Sequence, residues 1–100
     1  MKFITKEKFN ETISKTEKLI LCFYKENHEV SRFTLNSFGE VSAMVGRDFD
    51  LYLVDVDAEP EIAAVFDVSR IPECISVIHR KTHKRANGLL FSNQILDLLK

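Results

Sequence analysis

Cysteine is scarce in this sequence of 100 residues: Cys22 and Cys74 are the two present. Two thiols so far apart cannot build a disulfide scaffold or a zinc cage, and neither belongs to a Cys-x-x-Cys. Both lie in apolar runs, where a free cysteine behaves as a small buried hydrophobe. Glycine occurs three times and proline twice, and no linker, low-complexity tract or internal repeat interrupts the chain. Long apolar runs are also missing. The longest, Leu19–Tyr24, falls far short of the roughly 20 residues that cross a bilayer. The opening residues Met1–Lys6 lead into no apolar stretch of the kind a secretory signal carries, so the expected compartment is cytoplasmic. Nor does one sign of charge dominate: 14 Lys and Arg stand against 15 Asp and Glu, a net charge of −1. Such a balance creates no field that would draw the chain to nucleic acid or a membrane.

What is there is 45% hydrophobic and 29% charged, with the signs mixed along the chain. That describes one globular domain over residues 1–100, burying roughly 60–70% of its unfolded surface. Its pattern is an alternation. Lys2–Ile4 is short and apolar, and Thr5 is a good N-cap for a helix over Lys6–Ser14 with Phe9 and Ile13 on one stripe. Lys18–Tyr24 suits a strand buried on both faces. Val30, Phe33, Phe38, Val41, Met44 and Val45 recur every three or four residues, which predicts a helix over Glu29–Val45 ended by Gly46. Asp50–Val56 is a second buried strand, and Pro60 opens a helix through Phe66. Cys74–Ile78 makes a third strand. His79–Lys84 reads as a polar turn into a short strand reaching Gly88, and Ser92 caps a last helix with Ile95, Leu98 and Leu99 inward. The order β-α-β-α-β-α-β-β-α describes an α/β protein: a central mixed sheet with helices on both faces.

Particular residues carry a resemblance. Cys22-Phe23-Tyr24 is followed by Asn27-His28-Glu29-Val30-Ser31-Arg32, then Val56-Asp57 with Pro60, Val68-Ser69-Arg70-Ile71-Pro72 and Gly88. Over nearly the whole chain, without a gap from Ile20 onward, this resembles the thioredoxin superfamily. The resemblance implies the three-layer α/β/α thioredoxin fold and a cis bond at Ile71-Pro72. It also sets the strands of Cys22 and Cys74 side by side and antiparallel, which would bring the two thiols within disulfide reach; a redox switch in the sheet is one reading of that pair, and a slow one for buried thiols.

The departures bear on activity. His28-Glu29-Val30-Ser31 stands where the family has Cys-x-x-Cys, so His28 occupies the nucleophile's place and Ser31 the resolving cysteine's. Thiol exchange needs a thiolate that attacks a disulfide sulfur. An imidazole cannot form the mixed disulfide and a hydroxyl cannot resolve it. The family's buried acid and partnering lysine fall on Cys22 and Leu53, so the proton relay is lost as well. Asn27 replaces the family's Trp, Arg70 the Gly before Ile71, and Glu73 the usual Thr after Pro72.

The reading that follows is a non-catalytic module, redox-inactive, that binds a protein or an extended peptide. Its surface is Asn27, His28, Arg32, Arg70, Ile71, Pro72 and Glu73, with Ile71 offering backbone groups to an added strand. His28 is either a ligand contact or a polar residue tolerated where a cysteine was lost. The alternative is a thiol-disulfide oxidoreductase in cell redox homeostasis, working through Cys22 or Cys74. A structural subunit of a larger assembly is a further alternative. The basic stretch His79–Arg85 lacks the interleaved aromatics that stack bases and reads as a solvated turn or a contact for an acidic partner. Asp55, Asp57, Glu59 and Glu61 include no calcium loop and suit a helix start. No metal, no cofactor and no nucleic-acid or membrane partner is expected, and the chain is expected to be a monomer or weak dimer.

Overall fold

A computed structural model of the chain describes residues 2–45 and 48–100. The central strand β2 (Lys18–Tyr24) is buried at every residue after Lys18, as an apolar run without polar alternation requires. β3 (Asp50–Asp55) runs parallel to β2 on one side, and β1 (Lys2–Phe3) runs parallel to β3 beyond it. On the other side β4 (Glu73–Ile78) is antiparallel to β2, and β5 (Lys81–Asn87) is antiparallel to β4. The sheet order is β1-β3-β2-β4-β5.

Two apolar layers sandwich this sheet. On one face Leu19, Leu21, Phe23, Val54, Ile75 and Val77 meet α1 (Lys6–Lys15) and α3 (Pro60–Val65) through Phe9, Ile13, Ile62 and Ala63. On the other, Ile20, Cys22, Leu51 and Cys74 meet α2 (Glu29–Val45) and α4 (Ser92–Leu96) through Phe38, Val41 and Ile95. This is a three-layer α/β/α arrangement, in the element order that the sequence pattern predicts.

Several local expectations change. Thr5 occupies the cap position of α1 in extended backbone but makes no side-chain cap bond. The first helical N–H, that of Lys6, is instead accepted by the Glu59 carboxylate at 3.1 Å. Ser92 is the first residue of α4 rather than its cap. Its hydroxyl bonds Glu40 at 3.2 Å, while the Gln94 side chain accepts the Phe91 N–H at 2.8 Å. Gly46, the expected end of α2, lies outside the described residues.

The polar turn is far shorter than His79–Lys84. His79 and Arg80 form it alone, with φ of 51° and 69°, and β5 begins at Lys81. Two left-handed residues give the twist that matches flanking antiparallel strands. Farther along, Val77 pairs with Thr82 but Ser76 pairs with Lys84, a bulge that leaves one extra residue on β5. The buried Ser76 hydroxyl bridges it, accepting the Lys84 N–H at 3.1 Å and donating to the Lys84 carbonyl at 3.3 Å. Ser76→Ala is expected to lower stability by about 1–2 kcal/mol, read as a shift of the urea midpoint at unchanged slope.

Candidate functional site

β2 ends where β4 begins, because the two are antiparallel with Phe23 opposite Glu73. The loop leaving β2 and the loop entering β4 therefore share one end of the sheet. Asn27 turns the first of these loops with φ of 57°, a left-handed conformation that asparagine tolerates. His28 follows. Its carbonyl accepts the Arg32 N–H at 2.9 Å, which makes it the N-cap of α2.

His28 caps with its side chain as well. Its Nδ1 accepts the Ser31 backbone N–H at 3.2 Å and lies 2.9 Å from the Ser31 hydroxyl. That hydroxyl accepts the Lys25 N–H at 3.2 Å, so its own proton is free to point at Nδ1. With Nδ1 accepting, the ring proton belongs on Nε2. Ser31 is fully buried, His28 and Val30 are half-buried, and Glu29 and Arg32 are exposed. Beside them a hollow of about 230 Å³ is lined by Tyr24, His28, Arg32 and Leu35 among others. Burial, then the carboxylates of Asp55 and Glu26, push the Tyr24 hydroxyl above its ordinary range.

The second loop carries Arg70, exposed, Ile71, half-buried, and Pro72, buried. The Ile71–Pro72 peptide bond is cis. Among the described residues, neither the N–H nor the C=O of Ile71 has a hydrogen-bond partner. The Pro72 carbonyl accepts the Gly88 N–H at 2.9 Å, and Gly88 has φ of 93°, a conformation that glycine adopts without strain. Thr34 of α2 then closes the assembly. Its buried hydroxyl donates to the Gly88 carbonyl at 3.0 Å and accepts the Leu90 N–H at 3.1 Å. One chain of hydrogen bonds thus joins the proline loop to α2.

Glu73 does not belong to the exposed surface. Its side chain is 6% exposed, and its carboxylate takes the Arg85 guanidinium at 2.7 Å, while a second Arg85 nitrogen reaches the Phe66 carbonyl at 2.8 Å. The hydrogen bond to Glu73 holds Arg85 above its ordinary range. In its place are three side chains that sequence reasoning left out. Phe33, Leu89 and Phe91 are exposed, and the two rings meet edge to face at 5.3 Å. Phe33 fits the three-to-four period of α2 yet is exposed. No local signal marks it as exposed; the buried position beside it belongs to Thr34.

Cys22 and Cys74 are fully buried free thiols and direct partners across β2 and β4. Leu53 pairs with Cys22 on the other side, and Ala86 with Cys74. The row Leu53–Cys22–Cys74–Ala86 lies under α2 and α4 as part of the apolar layer. Hydrogen bonding to Cys22 and then burial push the Cys74 thiol well above the usual range, away from the thiolate that reacts. An aqueous thiol reagent is expected to label neither cysteine in the native protein and both after denaturation. Rapid native labelling of either would favour the oxidoreductase alternative.

The carboxylates near α3 are structural. Asp55 accepts the Asp57 and Ala58 N–H groups at 2.9 and 3.3 Å, and Glu61 pairs with Lys6 at 2.9 Å. Among the described residues no cluster of three His, Cys, Asp or Glu side chains is arranged to hold a metal ion. None of the described helices is long and apolar enough to cross a membrane.

No protein-family model and no curated protein sequence matches the chain. Solved structures do. A thioredoxin of Malassezia sympodialis aligns with 99% of this chain and 88% of its own, at a TM-score of 0.88 and 16% identity. A thioredoxin of Plasmodium falciparum aligns with 99% and 96%, at 0.89 and 19%. The chloroplastic thioredoxin z aligns with 99% and 90%, at 0.84 and 17%. The chain has the thioredoxin fold. In this thioredoxin fold the His28–Ser31 segment begins the helix that follows the central strand, and Ile71–Pro72 enters the neighbouring antiparallel strand.

Proposed function

We propose that this thioredoxin-fold protein is a binding module without dithiol chemistry, and that it holds an extended protein segment at the end of the sheet where α2 begins. The observation that carries the reading is the His28–Ser31 cap. The two side chains at the start of α2 are bonded to each other and to backbone, while both thiols lie in the sheet interior. Support for binding comes from the backbone of Ile71, unpaired among the described residues, which suits strand addition. The exposed Phe33, Leu89 and Phe91 supply apolar surface on the same assembly, where a docking segment loses water contact.

The test is selection from a cysteine-free peptide library displayed on phage, followed by amide chemical-shift mapping of an enriched peptide. Shifts are expected at Asn27–Phe33, Arg70–Ile71 and Gly88–Phe91. Phe33→Ser with Phe91→Ser is expected to weaken the peptide about tenfold or more, since truncating exposed aromatic anchors typically removes over 1 kcal/mol each. Failure to enrich any peptide, or shifts confined to another surface, would refute the reading.

A further inference from the structure

The basic segment that the site leaves unused sits on the long free edge of the sheet. β5 is the last strand in the order, so among the described residues its outer N–H and C=O groups have no neighbouring strand, whereas β1 at the opposite edge is two residues long. Every side chain from Lys81 to Arg85 is exposed. The seven residues His79–Arg85 hold four of the 14 Lys and Arg and no carboxylate, and the other residues hold ten cations against 15 acids. Within the segment, Arg85 is held by Glu73, and His79 faces Glu17 at 3.4 Å. Arg80, Lys81 and Lys84 make no ion pair among the described residues.

We infer that the outer edge of β5 is a docking site for an acidic, extended segment of another protein, which adds as a sixth strand. Backbone hydrogen bonds along an open edge bind any extended chain, and the uncompensated cations select the charge of the one admitted. They exclude a second copy of this chain, because two β5 edges would set like charges opposite one another. The edge displays no Phe, Tyr or Trp to make a stacking platform for bases and no apolar side chain between Lys81 and Arg85 that enters a bilayer interface. The bulge does not close the edge. Ser76 satisfies both Lys84 groups from the inner side, and no described strand pairs on the outer side. This surface is separate from the His28–Pro72 end, and either can fail without the other.

The probe is a fluorescein-labelled decapeptide in which Glu alternates with Val, followed by anisotropy and amide shift mapping on the full chain. Saturable binding is expected, with the largest shifts at Thr82–Asn87. Arg80→Glu, Lys81→Glu and Lys84→Glu together are expected to weaken it about tenfold or more. Raising salt from about 50 to about 200 mM should also weaken it severalfold. The same peptide methylated at every backbone nitrogen keeps its charge and loses its donors, and it is expected not to bind. Equal binding of the methylated peptide overturns strand addition, a measurement that needs no variant to fold. Equal binding of a Lys-Val decapeptide overturns the charge selection. Tighter binding of a single-stranded oligonucleotide or of phosphatidylserine vesicles overturns the choice of an acidic protein segment.

Discussion

In an insulin-reduction assay with a chemical reductant present, the wild-type protein is expected to add nothing to the rate of the reductant alone. His28 and Ser31 offer no sulfur, and Cys22 and Cys74 are fully buried. The double variant His28→Cys/Ser31→Cys is expected to close a disulfide. The two positions lie one helical turn apart at the start of α2, and their side chains already meet, with Nδ1 2.9 Å from Oγ, a placement compatible with disulfide closure. It should nevertheless turn over slowly. The positions that resemble the family's buried acid and lysine are Cys22 and Leu53, adjacent across β2 and β3 but without a titratable partner for a proton. General acid–base help is worth roughly 10²–10⁴-fold. Adding Cys22→Asp and Leu53→Lys is expected to recover part of that factor, since the two face each other in register. Turnover by the wild type would end the non-redox reading. A double variant as fast as an ordinary thioredoxin would show that the relay is dispensable.

Thr34→Val is expected to lower stability by about 2–4 kcal/mol, far beyond an ordinary hydroxyl deletion. The substitution keeps the volume and removes the oxygen that serves both the Gly88 carbonyl and the Leu90 N–H. Both backbone groups are then left without their partner in a site where Thr34 is fully buried. For a domain of this size the loss corresponds to a fall in Tm of roughly 10–20 °C. Thr34→Ser restores the oxygen and is expected to recover most of it. A valine variant within about 0.5 kcal/mol of wild type would show that water replaces the hydroxyl. In the folded fraction of the valine variant, amide shifts at Gly88–Leu90 should extend to Ile71, because Gly88 also holds the Pro72 carbonyl.

Thr34 also shows what can and cannot be read from the chain. The buried strands and the helices follow from apolar runs and their period, the polar β5 does not, and the antiparallel neighbourhood of Cys22 and Cys74 follows from the resemblance. The inward face of α2 does not. Its buried centre is Ser31, Thr34, Ser37, Phe38 and Val41, so three hydroxyl residues stand where a hydrophobic stripe would be sought. Each has its oxygen bonded, as burial of a hydroxyl requires; Ser31 and Ser37 bond locally, to Lys25 and Phe33, while the partners of Thr34 lie more than 50 residues along the chain. Phe33 and Met44 satisfy the period yet are exposed, since they fall to one side of that centre. Glu73 was misplaced for a related reason. A carboxylate after a proline looks like loop surface, but β4 already begins there, and its counter-charge sits on β5 beyond a bulge that no local signal announces.

The His28–Ser31 cap ties each of its two side chains to the other. A lineage that had exchanged two cysteines for this pair would hold them through mutual dependence. Returning His28 to cysteine removes the Nδ1 acceptor from the Ser31 N–H, and returning Ser31 first removes the oxygen that meets both Nδ1 and Lys25. Either step sacrifices helix-cap bonding, worth about 0.5–2 kcal/mol, before any dithiol exists to be selected. The route back crosses a valley from both sides, so drift at these two positions is ratcheted away from redox work.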